Sequence, residues 1–441
     1  MMKRLIVIAS LISFLFFSSL AFALDLDIKS QQLPNGLKIL TLEDHTLPIC
    51  TYFTFFKVGS RNEKQAITGI SHLFEHMMFN GAKRYGPKEF DRILESNGGV
   101  SNAYTANDFT AYFEDFPSNK LELIIDLDAD RLENLLLNEE NLSSEREVVK
   151  EERRLRTDNS NEGKLEEELY AAAFQAHPYH WPVVGWMGDL DAITREDCVN
   201  YFKTYYSVGN ATIIIVGDVN PAEAFKLIDK YYGHLKPGPT IPKVVNAEPE
   251  QKGERRVQYY KEAQLPAFMA GFHIPSAQSE DIYALDVLQI ILTEGESSRL
   301  YKTLVYEKQM ATDVWSSYFY TIDPGLFYIY VGMKPNFNTT EAEKVLYDEI
   351  EKVKNLGVTE KELQKAKNIL EANFIKSMKT NNGRANLIGT YQTLFGDYTL
   401  LNKVLDKYKA LTVEDIKKVA QKYFTDRNRT VATLVPEKAG I

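Results

Sequence analysis

Ala192-Ile-Thr-Arg-Glu-Asp-Cys-Val-Asn-Tyr-Phe-Lys-Thr-Tyr-Tyr206 aligns without a gap on Ala410-Leu-Thr-Val-Glu-Asp-Ile-Lys-Lys-Val-Ala-Gln-Lys-Tyr-Phe424. Each stretch continues through an asparagine, Asn210 or Asn428, into an apolar strand. Further out, residues 48–60 and the helix after them are echoed by 266–276 and the helix that follows. Two matches in the same order, one on each side of Lys236-Pro-Gly-Pro-Thr-Ile-Pro242, indicate a tandem duplication. The expected fold is α+β: two homologous halves, each an antiparallel-rich sheet flanked by helices. The Pro-rich stretch and its polar continuation read as a semi-rigid linker over 236–253, which divides an N-terminal half, 24–235, from a C-terminal half, 254–441.

Within the first half, Pro34-Asn35-Gly36 followed by alternation over 37–42 predicts a hairpin, and the β-branched, aromatic run 49–58 predicts a mid-sheet strand. Helices are expected over 69–81, 87–96, 121–138, 143–158 and 194–206, with strands over 100–106, 109–115 and 211–216.

The whole chain has 441 residues, 44% hydrophobic and 25% charged, which excludes collagen-like, low-complexity and wholly disordered classes. Its net charge of −10 with no basic block argues against a nucleic-acid partner. Residues 1–23 differ from the rest. Lys3 and Arg4 precede an uncharged apolar run over 5–22, and Ala21-Phe22-Ala23 offers a small-x-small cleavage site, the pattern of a secretory signal peptide. The run approaches spanning length, so an uncleaved inner-membrane anchor is the alternative to a free exported protein. Cys50 and Cys198 are too few to form a disulfide framework, and buried free thiols are expected.

The chemistry is concentrated in His72-Leu73-Phe74-Glu75-His76. On a helix, residues four apart share a face, so both imidazoles can reach one metal, with the Glu75 carboxylate beside them. The spacing is that of the inverted H-x-x-E-H zinc motif. A third ligand is required, and candidates lie in Glu145-Arg-Glu-Val-Val-Lys-Glu151-Glu152. Glu145 and Glu152 are two turns apart and share a face, so one can coordinate while the other supports from behind. Charged runs of this kind are ordinarily solvated helix faces.

Together with Gly98-Gly99-Val-Ser-Asn102-Ala103, Thr110-Ala-Tyr112, His177-Pro178-Tyr179, Gly185, Asn210 and Gly217-Asp218, these motifs resemble the pitrilysin/insulinase family. The nearer likeness is to bacterial relatives of mitochondrial processing peptidase. The resemblance implies a zinc endopeptidase acting on unfolded peptides, with one Zn2+ per chain held by His72, His76 and Glu152. It makes Glu145 the supporting carboxylate and Glu75 the general base. Glu151 is the adjacent alternative ligand, turned about 100° around the helix. Asn102 and Ala103 are implied to lie on an edge strand that pairs with extended substrate. His177 is expected to order a loop.

One departure stands out. Many relatives carry in the second half an Arg and, seven residues later, a Tyr that hold substrate. Those positions here are Val305 and Thr312. Arg299 and Tyr306 are nearby but out of register, and structural roles are expected for both. The implied arrangement is the zinc-bearing subunit of a two-subunit periplasmic peptidase, with a homologous partner (or, alternatively, a second copy of this chain) supplying the Arg/Tyr pair. The competing reading is a non-catalytic assembly or peptide-binding subunit.

Overall fold

The computed structural model describes residues 26–437; the signal segment expected over 1–23 lies outside them. The first sheet contains β1 (Lys29–Gln32), β2 (Lys38–Glu43), β3 (Ile49–Phe56), β4 (Val100–Thr105), β5 (Thr110–Pro117) and β6 (Ala211–Gly217), in the order β1-β2-β6-β3-β5-β4. The second contains β7 (Arg255–Glu262), β8 (Ala267–Ile274), β9 (Ala311–Ser317), β10 (Gly325–Met333) and β11 (Arg429–Glu437), in the order β7-β11-β8-β10-β9. The orders superimpose once the extra edge strand β1 is removed. In each sheet one pair is parallel, β2 with β6 and β7 with β11, and the other pairs are antiparallel.

The duplication persists in the details. The helix Arg195–Tyr205 opens with Thr194 and Asp197 in a capping box, and the helix Val413–Tyr423 opens identically with Thr412 and Asp415. The amide of Asn210 donates to the Tyr205 and Lys57 carbonyls, and that of Asn428 to the Tyr423 and His273 carbonyls. Each asparagine therefore ties the end of its helix to the neighbouring central strand.

The sequence does not announce how the halves interlock. The helix Asn161–Ala173 of the first half packs on β7, β8 and β11 of the second, while Asn381–Phe395 of the second half packs on β3 and β6 of the first. Both sheets are thereby covered on two faces, and so β10 is buried at every position and β3 at every position after Ile49, Thr51 and Thr54 included, rather than at alternate ones. The crossings are complementary. Phe55 of β3 sits against Gly389 of one helix, and Leu169 of the other helix sits against Gly271 of β8. The turns leading into the two helices also match. Ser160 and Thr380 cap them, and at the third position Gly163 and Gly383 lie so close to the Arg156 and Ser377 carbonyls that a Cβ would stand 2.0 and 1.9 Å away.

The segment 236–253 carries neither helix nor strand. It is strapped down nonetheless, with Glu248 accepting from the Gln175, Ala176 and His177 N–H groups. Cys50 and Cys198 are buried free thiols, and burial pushes both up to about 12. No helix among the described residues is long and apolar enough to cross a membrane.

Candidate metal and active site

The helix Ile70–Met77 follows the central strand β3 and turns Ile70, Leu73, Phe74 and Met77 into the core. That stripe leaves His72, Glu75 and His76 together on the opposite face. Its N-terminus is fixed by Glu63, whose two carboxylate oxygens accept from the Gly69 and Ser71 N–H groups at 2.8 Å. Alongside runs the helix Glu139–Arg153, capped by Asn138, of which only Leu142, Val149 and Arg153 are buried. The expected helix over 143–158 is therefore interrupted: the α-helix ends at Arg153 and continues as a π-helical turn, Arg154–Asp158. Arg153 anchors this change of pitch. Its guanidinium donates to Glu167 at 2.7 Å and to the Gly185 carbonyl at 2.8 Å.

These two helices bring the candidate ligands together. Glu152 Oε2 lies 3.6 Å from His72 Nε2 and 3.3 Å from His76 Nε2. Three atoms bound tetrahedrally about 2.1 Å from one metal are separated by roughly 3.4 Å, so the donor set fits a zinc ion by type and by spacing. Among the described residues, His72, His76 and Glu152 are the group whose donor atoms converge in this way. Glu151 stands outside this group, exposed and paired with Arg154. Glu145 Oε2 faces the other ring nitrogen of His76, Nδ1, at 3.4 Å, the place of a carboxylate that orients a ligand histidine.

Burial pushes His72 down to about 4, and the neighbouring His76 adds to that effect. At His76 burial acts the same way, but the Glu145 and Glu152 carboxylates outweigh it and raise the ring to about 9. Hydrogen bonding to His76 holds both Glu152 and Glu145 below the usual carboxylate range. Glu75 lies 4.0 Å from His72 Nε2, and burial lifts its carboxyl, against the Thr105 hydroxyl that donates to Oε2 at 2.7 Å. Sequence reasoning missed Thr105 and also Arg156, which holds the second Glu152 oxygen at 2.9 Å. Arg156 follows Glu152 by four residues, the ordinary i,i+4 spacing of a helical ion pair, whereas no local pattern links Thr105 to Glu75.

His72, Glu75 and Glu152 open into a cleft of ≈ 620 Å³ that is also lined by Asn102, Ala103 and Tyr170. Strand β4 is the sheet edge, so its outer backbone groups face this cleft. The Asn102 side chain covers part of that edge, accepting from the Ala103 N–H at 2.8 Å. His177 takes no part in the ligand group. Its Nδ1 accepts from the Tyr179 N–H, and its Nε2 meets Asp323 at 3.0 Å, ordering a loop between the halves. Val305 is half-buried against the second core, and the Thr312 hydroxyl bonds Asp313 and the Gly332 carbonyl. Neither lines the cleft. Arg299 has the structural role expected of it, forking onto Glu362, whereas Tyr306 is 76% exposed and has none.

Known proteins match this architecture along most of its length. Residues 38–185 match the family model described as insulinase (peptidase family M16), and residues 192–370 the model described as peptidase M16 inactive domain. The zinc protease PqqE of Helicobacter pylori is 35% identical over 413 residues, covering 92% of this chain and 93% of that protein. A probable mitochondrial-processing peptidase subunit beta of Arabidopsis thaliana is 26% identical over 418 residues, covering 92% of this chain and 77% of the relative. The crystal structure of a protease from Helicobacter pylori superimposes with a TM-score of 0.90 at 34% identity, covering 93% of this chain and all of that one. With a His72/His76/Glu152 group that is consistent with a zinc site, the chain belongs to the insulinase family of zinc peptidases, M16.

Proposed function

We propose that this chain is an exported zinc endopeptidase that cleaves unfolded peptides, binds one Zn2+ through His72, His76 and Glu152, and works with a homologous partner subunit. The observation that carries the reading is the placement of Glu75 beside a convergent His/His/Glu group in a cleft bordered by a free sheet edge. When bound, zinc supplies Lewis acidity to the attacking water and the scissile carbonyl. The chain's residues do the rest. Glu75, steadied by Thr105, takes the proton of the water at Oε2 and passes it to the leaving amine. Glu145 keeps the His76 ring oriented through Nδ1. Asn102 swings off the edge so that the backbone at Asn102 and Ala103 pairs with an extended peptide. The cleft lacks an Arg/Tyr pair at positions 305 and 312, which supports a partner that supplies one; the Arabidopsis relative is itself named as a subunit. The leader over 1–23 supports export, with the periplasm as destination and an uncleaved anchor as the alternative. The 236–253 segment is proposed as the division between the zinc-bearing and the C-terminal domain.

Metal analysis and a peptidase assay test this, using wild type and Glu75→Gln, each alone and with any co-purifying chain. Glu75→Gln is expected to retain zinc and to lose cleavage by about 10²–10⁴-fold. A variant as active as wild type refutes the base and leaves the non-catalytic subunit reading. Full activity of the isolated monomer refutes the partner, and an N-terminus starting near Leu24 establishes cleavage of the leader.

A further inference from the structure

The second half retains a cleft where the first has its ligand group. Asp286, Gln289 and Ile290 precede Gly295 by the same intervals at which His72, Glu75 and His76 precede Gly81, and both glycines have positive φ, 77° and 93°. Asn386 and Thr390 follow the cap Thr380 at the intervals at which Glu166 and Tyr170 follow the cap Ser160. His72, Glu75, Glu166 and Tyr170 line the first cleft, and Asp286, Gln289, Asn386 and Thr390 line a second cavity of ≈ 560 Å³. Metal chemistry is absent from the second. An isoleucine replaces one histidine, and the Asp286 carboxylate is taken up by the hydroxyls of Tyr318, Tyr320 and Tyr408. Space remains, with walls made largely apolar by Tyr104, Phe109, Val183 and Leu394.

The two cavities adjoin, with Tyr104, Thr105, Asn107, Val183 and Phe319 lining both. Phe319 is the shared wall contributed by the second half. It is 55% exposed, yet the residues on both sides of it are fixed. Tyr318 and Tyr320 are tied to Asp286, the Ile322 N–H donates to Asp108 at 3.1 Å, and the Asp323 N–H donates to the Tyr179 hydroxyl at 3.3 Å. Arg61 and His177 of the first half hold the Asp323 carboxylate. A large apolar side chain kept half in water on so firm a mount, between two cavities, has the character of a contact residue.

We propose that the second half's cleft is an apolar subsite of the peptidase, that it takes a large aliphatic or aromatic side chain of the peptide substrate, and that Phe319 is its specificity-determining residue. The proposal rests on the peptidase reading. A peptide laid along β4 and past Thr105, the partner of Glu75, is led into this cavity, and at about 3.3 Å per residue it arrives within a few residues of the scissile bond.

The test uses the full chain, with any co-purifying partner, in the Glu75→Gln background. Binding of dye-labelled extended peptides is read by anisotropy, with Leu, Phe, Gly or Asp placed at each position in turn. At one position within about four residues of the bond that wild type cleaves, Leu or Phe is expected to bind about tenfold better than Gly or Asp. Phe319→Ala brings that ratio below about threefold, Phe319→Leu retains most of it, and peptides with Gly there bind all three alike. The same ratios are read as kcat/KM with Glu75 intact. No preference at any position, or a preference that Phe319→Ala leaves unchanged, overturns the subsite while wild-type cleavage leaves the peptidase reading standing. Absence of both peptide binding and cleavage overturns the two together.

Discussion

Substituting alanine for Gly389 tests the interlock that builds both clefts. In the native contact a Cβ at this position stands 2.1 Å from Phe55 Cε2 and 2.5 Å from Cδ2 and Cζ, far inside the 3.5–4.0 Å at which carbons pack. Phe55 cannot give way. It is buried, with the rings of Phe53 and Phe109 each 5.4 Å from its own. Removing a mid-helix glycine gains up to ~1 kcal/mol, whereas overpacking a closed core costs ~1–3 kcal/mol. A contact this short belongs at the upper end, so a net loss of about 2 kcal/mol is expected. Urea unfolding followed by tryptophan fluorescence reads it as a lower midpoint. The double-mutant cycle with Phe55→Leu isolates the cause: a smaller residue at 55 makes room for the new methyl, and the pair should cost at least ~1 kcal/mol less than the sum of the singles. Additive costs, or a neutral Gly389→Ala, would refute the claim that this helix and sheet are locked by ring against glycine.

Two further outcomes are expected. Chelation should lower the melting temperature of wild type and leave His76→Ala unmoved, because a metal bound only by the folded chain stabilises it by mass action; an equal fall in both removes His76 from the ligand set. Burial lifts the Asp108 carboxyl to about 6 despite hydrogen bonds from the Ile322 N–H and Tyr179 and the nearby Arg61. An unfolded aspartate titrates near 3.9, so between about pH 4 and 6 the folded state binds more protons and stability falls as pH rises through that window, levelling above it. The stability of wild type relative to Asp108→Asn should therefore decline from pH 4 to 6; a constant difference means that Asp108 does not titrate there.

Much of the site was legible in the sequence because it is written in helical periods. His72, Glu75 and His76 share a face through local geometry alone, and so do Glu145 and Glu152. The choice of Glu152 over Glu151 came from family resemblance, and its physical reason appears only where Arg154 draws Glu151 outward. Thr105 was invisible, since a threonine in a strand carries no signal of what it will touch thirty residues away, whereas the i,i+4 spacing of Glu152 and Arg156 was a signal that could have found Arg156. The π-helical turn after Arg153 was missed because its cause, the Glu167 and Gly185 contacts, lies in residues folded back from beyond it.

The sequence by itself determined the repeated unit, the helix caps and the ligand-bearing face, all of them properties of contacts a few residues apart. The duplication was readable because both copies keep the same local rules at Thr194 and Thr412 and at Asn210 and Asn428. Only the tertiary structure decided that the halves exchange helices, that Phe319 of one stands in the cleft of the other, and that the second cleft keeps its space without its chemistry. Those outcomes depend on packing between residues more than a hundred positions apart, where a glycine is meaningful only once the ring it must admit is known.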